Sequence, residues 1–277
     1  MKNFTTQYKF QTRNWYKFFL VKNNKNAKKK ERLQSTFDQL KINPKHDKLL
    51  FNYNYFKKSH LQPIYKYLRK KLHGNCLSIG SGKGHLEYHL SKKFKILPTD
   101  INDSFISFNK KIKIKKFNIL NCNNNEIKKL GKFDCIIIPN IEYLFTNKEL
   151  KKFFSNLKKL SSKKTDIFFC FRSRYTLITN IIDHIICPLE TFLTKYIKFI
   201  KYKGFRIKKI HHGFRRKDIE IEEIITNYFF IKSVYHDMFS LEYKRSILFR
   251  ILKIDKILKY FFFKSNPYLN IYHLRKL

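Results

Sequence analysis

The chain has 277 residues, of which 43% are hydrophobic, and its 60 lysines and arginines against 20 acidic residues give a formal net charge of +40. This length and hydrophobic content suffice for one α/β domain with additions. No apolar run reaches the roughly 18 residues that span a membrane, and Trp15–Val21 is too short and too interrupted for a signal peptide. We therefore expect neither a spanning segment nor a secretory leader.

The positive charge has two explanations. It favours an anionic partner such as nucleic acid or a membrane surface. However, residues with A/T-rich codons are abundant and those with G/C-rich codons are scarce: Ala27 is the single alanine, with 7 Gly and 6 Pro. Base-composition bias therefore accounts for much of the lysine excess. Whatever its origin, the charge favours anionic substrates and surfaces.

The cysteines argue for a reducing environment. Five cysteines without paired spacing indicate neither a disulfide framework nor a zinc site. Cys76, Cys135 and Cys170 fall in apolar, strand-like runs, where a thiol acts as a small buried hydrophobe. We expect a cytoplasmic protein that binds no metal.

The first 60 residues read as a basic N-terminal extension, of which residues 1 to about 35 carry few signals of order and are expected to be partly flexible. Beyond it, strands alternate with helices. The predicted elements are helix 61–72, strand 76–80, helix 85–94, strand 95–100, a strand near 112–119, strand 133–138, helix 148–160 capped by Asn147, and strand 167–171. This alternation predicts a doubly wound parallel sheet. Pro98 is unusual for an interior strand.

The second half of the chain departs from this alternation. Two apolar helices are predicted within residues 172–204, where they would form a lid or simply pack on the core. Asp218 would cap helix 219–226, and a hairpin strand follows near 229–235. Residues 241–277 are predicted to be a basic amphipathic helical tail, whose segment 245–264 would lie in a membrane interface or dock on the domain or a dimer partner.

The most informative motif follows strand 76–80. Gly80, Gly82 and Gly84 precede a helix, and Asp100 ends the next strand. Glycines let the main chain approach a ligand, a helix N-terminus offers N–H groups, and an acid about 20 residues on can bind ribose hydroxyls. The pattern indicates a site for an adenosine-containing cofactor. It is neither the nicotinamide fingerprint, which needs glycine where His85 stands, nor a phosphate loop, which needs Ser or Thr at position 84.

The ordered series of motifs resembles the class I S-adenosylmethionine (SAM) methyltransferases, in particular the small-molecule enzymes of the ubiquinone-biosynthesis type. The similarity covers roughly residues 74–240. Ile96–Ile101 resembles the second strand with its ribose-binding acid, and Phe117–Asn121 the third, with Asn118 in place of the usual acid. Lys132–Asn140 resembles the fourth strand, and Ile141–Leu144 the Leu-Glu-His-Leu that follows it, with Tyr143 replacing the histidine.

This resemblance implies a Rossmann-like domain over residues 61–240, with a seven-stranded, mostly parallel sheet, the helical insert and the helical tail. It implies SAM as the cofactor. The residues that would contact SAM are Gly80, Ser81, Gly82, Gly84, Asp100, Ile101, Asn118, Ile119 and Asn140. A lid over the substrate would come from the insert.

The implied activity is methyl transfer to a small or lipid-linked acceptor, at oxygen. Candidate catalytic residues are His212, Tyr143 and Glu142, and His211 is a further candidate base. The segment His211–Lys217 resembles a loop that faces the active site, where Arg215 and Arg216 would clamp a carboxylate or phosphate.

Two alternatives stay open: an RNA methyltransferase, and a non-catalytic basic protein that binds membranes or nucleic acid. The sequence Pro139-Asn140-Ile141-Glu142 lacks the Asp/Asn-Pro-Pro-Tyr motif of enzymes that methylate base amino groups. Under each of these interpretations, segment 245–264 offers a peripheral contact with the inner face of the membrane. The oligomeric state is not defined by the sequence.

Overall fold

A computed structural model of the chain describes residues 4–11, 15–22, 48–57, 59, 61–102, 111–172, 208–237 and 269–277. The strands are β1 (Phe4–Gln11), β2 (Trp15–Lys22), β3 (Asn75–Ile79), β4 (Lys95–Asp100), β5 (Lys115–Lys116), β6 (Cys135–Pro139), β7 (Asp166–Arg172), β8 (Lys208–Arg215), β9 (Phe229–Asp237) and β10 (Leu269–Lys276). The α-helices are α1 (Tyr53–Phe56), α2 (Gln62–Lys71), α3 (His85–Leu90), α4 (Asn124–Leu130), α5 (Asn147–Leu160) and α6 (Asp218–Ile225).

The chain divides into two units. One comprises 1–44, 173–217 and 238–268, and the other 45–172, 218–237 and 269–277. The predicted helical insert beyond β7 and the predicted amphipathic segment 245–264 lie outside the described residues. Within the described residues, no helix has the length and apolar character needed to cross a membrane.

In the first unit, β1 pairs antiparallel with both β2 and β8, giving the order β2-β1-β8. This sheet corrects two expectations. The N-terminal segment predicted to have little order contains two strands, and His211–Arg215, predicted as part of a loop, lies in β8. Aromatic residues, threonine and valine are frequent in β1 and β2, and this strand preference outweighs the charge of the segment.

The second unit contains a seven-stranded sheet of order β5-β4-β3-β6-β7-β10-β9. Strands β5, β4, β3, β6 and β7 are parallel to one another, whereas β10 is antiparallel to β7 and β9. The predicted doubly wound, mostly parallel seven-stranded sheet is therefore confirmed. Ile136, Ile137 and Ile138 of β6 are fully buried, as expected of a parallel strand covered on both faces.

Helix α5 shows how local pattern determines packing. Its buried face is the predicted stripe Leu150, Phe153, Phe154, Leu157 and Leu160. The helix begins with a capping box in which Thr146 and Glu149 satisfy each other's backbone N–H groups. The N-cap is thus Thr146, one residue before the predicted Asn147.

Pro98 fits an interior strand because of where its missing N–H would point. The Thr99 carbonyl accepts from Gly80 N, on the β3 side, whereas the Asp100 carbonyl accepts from Phe117 N, on the β5 side. Since these groups alternate along a strand, Pro98 faces β5. Pairing with β5 begins only at Thr99, so the proline removes no ladder bond.

The C-terminal segment departs most from expectation. Residues 269–276, predicted as part of a helical tail, form β10 in the sheet. Its polar residues are buried but paired: Asn270 Nδ2 donates to Asp218 Oδ2 at 3.0 Å, and His273 Nε2 lies 2.7 Å from Asp166 Oδ1. These partners are distant in the chain, so local pattern gives no sign of them.

Asp166, at the start of β7, forms hydrogen bonds that link β7 to β10. Its Oδ1 also accepts from Arg275 Nε at 2.8 Å. Burial raises the pKa of this carboxyl, but the hydrogen bonds from Arg275 and His273 lower it and prevail, so the pKa lies below its ordinary value. The ionised carboxyl of Asp166 with its partners His273 and Arg275, here called the clamp, therefore stabilises the folded state.

We predict that Asp166→Asn lowers the free energy of unfolding at pH 7 by about 1.5–3 kcal/mol, because it weakens hydrogen bonds to a charged group. Since the folded pKa is depressed, this contribution is present above the ordinary carboxyl pKa of 3.8 and is lost as the pH falls through the folded value. Urea unfolding at pH 7 and at acidic pH measures both effects.

Lys232→Gln, at an exposed position on β9, is the control and should change stability by less than about 0.5 kcal/mol. Equal stability of the two variants at pH 7 would contradict the clamp.

Candidate cofactor site

The turn between β3 and α3 contains three glycines with positive φ, at Gly80 (78°), Gly82 (57°) and Gly84 (73°). A Cβ at Gly80 would lie 2.5 Å from Ile141 Cγ2, whereas a Cβ at Gly82 would meet no described atom within 4 Å. Gly80 and Gly82 therefore have different structural roles. Gly80 lets the segment after β6 pack against the turn, and Gly82 leaves main chain that no described side chain covers.

The turn is held by the end of β4. The Thr99 carbonyl accepts from Gly80 N at 2.9 Å and from Ser81 N at 3.0 Å. It also accepts from Ser81 Oγ at 3.0 Å, so the hydroxyl of this predicted cofactor residue is directed to the backbone. Gly84 N in turn donates to Ser81 O at 3.0 Å, and Gly84 caps α3 in the left-handed conformation.

Asp100 lies directly against the turn. Its Oδ2 accepts from Gly82 N at 2.8 Å and its Oδ1 from Asn102 N at 2.9 Å, and the residue is 7% exposed. Burial raises the pKa of this carboxyl, although the backbone N–H groups partly offset the rise. A carboxylate has about four acceptor positions, so acceptor capacity remains for the hydroxyls of a ribose. Ile101, which follows, is 40% exposed.

The other predicted cofactor residues follow the neighbouring strands. Asn118 comes after β5 and its Oδ1 accepts from Leu120 N at 3.1 Å. Ile119 is buried, and its carbonyl accepts from Asn156 Nδ2 at 2.8 Å. Asn140 follows β6 and is the one non-glycine residue with positive φ (51°) among those described.

Because β3, β4, β5 and β6 are parallel, the residues after them lie along one edge of the sheet. The structure therefore brings the glycine turn, Asp100, Asn118 and Asn140 to the same edge, as the sequence predicted. This edge is where ligands bind in open α/β sheets.

The candidate catalytic residues are divided between the two units. Glu142 opens a 3₁₀ turn, Glu142–Leu144, and is buried, whereas Tyr143 is partly exposed. The contact of Ile141 with Gly80 places this turn beside the glycines. His212 instead belongs to β8, where the register shifts so that its neighbours Gly213 and His211 face consecutive residues of β1. Arg216 is buried at 2% exposure rather than on an open loop.

A second buried carboxyl near the turn was not predicted. Glu87 in the first turn of α3 is 1% exposed, and its Oε1 accepts from Ser78 Oγ at 2.7 Å. Its Oε2 is buried without a hydrogen-bond partner among the described residues. Burial, together with repulsion from Asp100, raises the pKa of Glu87 to about 7. The turn therefore lies next to two buried carboxyl groups.

The sequence holds a weak sign of this arrangement. In a capping box the glutamate at the third helical position accepts from the backbone N–H of the N-cap residue, whose side chain accepts in return. The N-cap here is Gly84, which has no side chain and whose N–H donates to Ser81 O. Ser78 is also the one polar residue between Cys76 and Ile79 of an otherwise apolar strand. Each residue alone is unremarkable, and their contact appears only in the folded chain.

No protein-family model matches the chain, and no curated protein matches it. Solved structures do resemble it. One, from a study of the conversion of a disulfide bond into a thioacetal group during echinomycin biosynthesis, has a TM-score of 0.50 and 12% identity, covering 77% of this chain and 81% of its own.

Two further likenesses are to a SAM-dependent methyltransferase from Archaeoglobus fulgidus and to magnesium protoporphyrin IX methyltransferase from Synechocystis with bound SAH. The first has a TM-score of 0.48 and 15% identity, covering 82% of this chain and 100% of that one. The second has a TM-score of 0.46 and 13% identity, covering 78% and 82%. At such identities a likeness concerns the fold alone. With the strand order described above, the chain has a Rossmann-like, doubly wound α/β fold.

Proposed function

We propose that the chain is a SAM-dependent methyltransferase whose cofactor lies against Gly82 and Asp100. The observation that carries this proposal is the open main chain at Gly82, whose N–H is already bound to the buried carboxyl of Asp100. A ligand can approach the backbone here, and the carboxyl retains acceptors for sugar hydroxyls.

The charge of the site favours SAM over a phosphorylated nucleotide. SAM carries a sulfonium and an ammonium group, whereas a dinucleotide carries phosphates. Asp100 and Glu87 are acidic groups buried beside the turn, although the chain as a whole has a net charge of +40. Buried carboxylates attract a cation strongly in a low-dielectric setting and repel a phosphate.

Methyl transfer from a sulfonium needs little chemical assistance. The leaving group is already good, so the protein mainly aligns the acceptor with the methyl group and excludes water. Tyr143 would orient an acceptor by hydrogen bonding. Glu142 would take a proton if the acceptor must lose one, as a hydroxyl acceptor does.

For the acceptor we propose a small or lipid-linked molecule methylated at oxygen, on the basis of the family resemblance. The net charge supports an RNA acceptor as the second candidate. Incubating the protein with radiolabelled SAM and separate lipid, small-molecule and RNA fractions distinguishes them. Label entering RNA alone would reject our first choice.

We predict that Gly82→Ala weakens SAM binding by about tenfold or more, since the methyl group occupies the space proposed for the ligand and tenfold corresponds to 1.4 kcal/mol. Gly82→Asp should weaken it further by adding bulk beside Asp100. Isothermal titration calorimetry with SAM gives the affinities.

Gly131→Ala is the matched control for this experiment. Gly131 also has a positive φ (94°) and no described atom within 4 Å of a built Cβ, but it caps the C-terminus of α4, ahead of β6. Gly131 has a ψ of −166°, a region that is essentially confined to glycine, so its alanine variant carries backbone strain on the order of 1–3 kcal/mol. If the two alanine variants reduce SAM affinity equally, or Gly82→Ala leaves it intact, the cofactor is not at this turn.

Glu87 provides a prediction about pH. Its folded pKa of about 7 exceeds its ordinary value of 4.5, so the folded state holds the proton more tightly than the unfolded state. The contribution of Glu87 to stability is therefore greatest below pH 4.5, falls as the pH rises toward 7, and levels off above it. At 1.36 kcal/mol per pKa unit the loss is roughly 3 kcal/mol.

Glu87→Gln cannot ionise and should abolish this loss. Urea unfolding of both proteins at pH 5 and pH 8 measures it as the difference in pH dependence between them. A bound cation favours the ionised carboxyl, so SAM affinity of the wild type should rise between these pH values more than that of the variant. Parallel pH profiles for stability would show that Glu87 titrates normally.

A further inference from the structure

A concave basic groove lies between α1, α2 and the turn after α3. It encloses about 720 Å³ and is lined by Tyr53, Tyr65, Lys66, Arg69, Lys70 and Lys93. Helix α2 ends just before β3 begins, and Lys93 stands just before the start of β4. The groove is therefore at the amino ends of these strands, the opposite edge of the sheet from the glycine turn.

The groove concentrates positive charge, and no acidic residue lines it among the residues that the structure describes. Lys66, Arg69 and Lys70 are three and four residues apart, so they share one face of α2, and all are exposed. Lys93 adds a fourth cation from a different element. The dipole of α2 accounts for Arg69 and Lys70 in its last turn, but neither for Lys66 nor for Lys93.

Aromatic rings stand among these cations. Tyr53 is 40% exposed, and Lys57 Nζ lies 5.3 Å from its ring centroid. The Tyr65 ring meets the Tyr53 ring edge-on at 6.1 Å, and both contact the fully buried Phe56. The rings are thus anchored in the core, and part of Tyr53 stays accessible.

We propose that this groove binds single-stranded nucleic acid, with Lys66, Arg69, Lys70 and Lys93 on the phosphates and Tyr53 as a stacking platform for a base. Cations that follow a backbone, combined with aromatic faces for the bases, are what sequence-tolerant binding of single strands requires. A concave surface with recessed rings suits a strand better than a flat bilayer, into which apolar side chains must protrude. The inference is independent of methyl transfer, since binding is measured without SAM.

The test uses the full chain and a fluorescein-labelled oligouridylate of about 12 nucleotides, within the range bound by single-strand folds. Fluorescence anisotropy gives affinities at salt concentrations from about 50 to 200 mM. The groove variant is Lys66/Lys70/Lys93→Gln. Its matched control, Lys151/Lys152/Lys159→Gln, removes the same charge from exposed positions on α5.

We expect the groove variant to bind about tenfold more weakly or worse. The slope of log affinity against log salt should fall by about 2, since each phosphate contact on a single strand contributes about 0.7. The α5 variant should lose less than about threefold, with a nearly unchanged slope. Tyr53→Ala should weaken binding about fivefold or more without changing the slope, because stacking is uncharged.

Equal losses in the two triple variants would show that the charge acts diffusely and would overturn the proposal, as would a wild type that binds no oligouridylate. Thermal unfolding of each variant verifies that it is folded. We expect every lysine variant to remain folded, because the substituted side chains are exposed. Flotation with phosphatidylglycerol vesicles tests the competing partner. If the groove variant loses vesicle binding while keeping its RNA affinity, the groove is a lipid surface and the inference is wrong.

Discussion

The hydrogen bonds from the glycine turn to the end of β4 are the constraint on which the candidate site depends. The Thr99 carbonyl holds Gly80 and Ser81, and the Asp100 carboxyl holds Gly82. The turn between β3 and α3 is thereby tied to the neighbouring strand, while the space above Gly82 stays open. Because the carboxyl that would meet a ribose also fixes the turn, the shape of the site and its chemistry rest on the same group.

The carboxyl groups near the glycine turn are opposite in sign to the net charge of the chain. The chain is strongly basic, yet the residues nearest the turn include two buried carboxyl groups, Asp100 and Glu87. Four exposed cations line the groove at the opposite edge of the sheet, around Tyr53. Base-composition bias can add lysines to a surface, but it does not place acidic residues in a core. A buried carboxyl group costs free energy unless it is hydrogen-bonded or paired with a charge. The acidic site and the basic groove are therefore separate features of one sheet.

Much of the fold could be predicted because it is encoded locally. Residues 95–100 form β4 with the predicted bounds, and the buried stripe of α5 follows from helical spacing. The position of the glycine turn and Asp100 follows from the order of the strands. Each of these features depends on residues close together in the chain, for which periodicity and turn chemistry are sufficient guides.

The features that escaped prediction depend on distant partners. The pairing of Ser78 with Glu87 needs the folded turn, and the burial of Asn270 and His273 needs Asp218 and Asp166. The strands β1 and β8 pair across most of the chain, so the segment around His212 resembles a loop until its partner is known. Polar residues in a strand look exposed in a sequence, and only the structure shows the groups that satisfy them.

The place of β10 between β7 and β9 bears on how the protein reaches its native state. Asp166 and His273, which join β7 to β10, are 107 residues apart in the chain. Contacts of such long range close slowly, because a large loop must be ordered before they form. Until then β7 and β9 each present an unpaired edge, and β7 carries Phe168, Phe169 and Phe171. Exposed apolar edges associate with other chains, so we expect aggregation to compete with folding until β10 pairs with both strands.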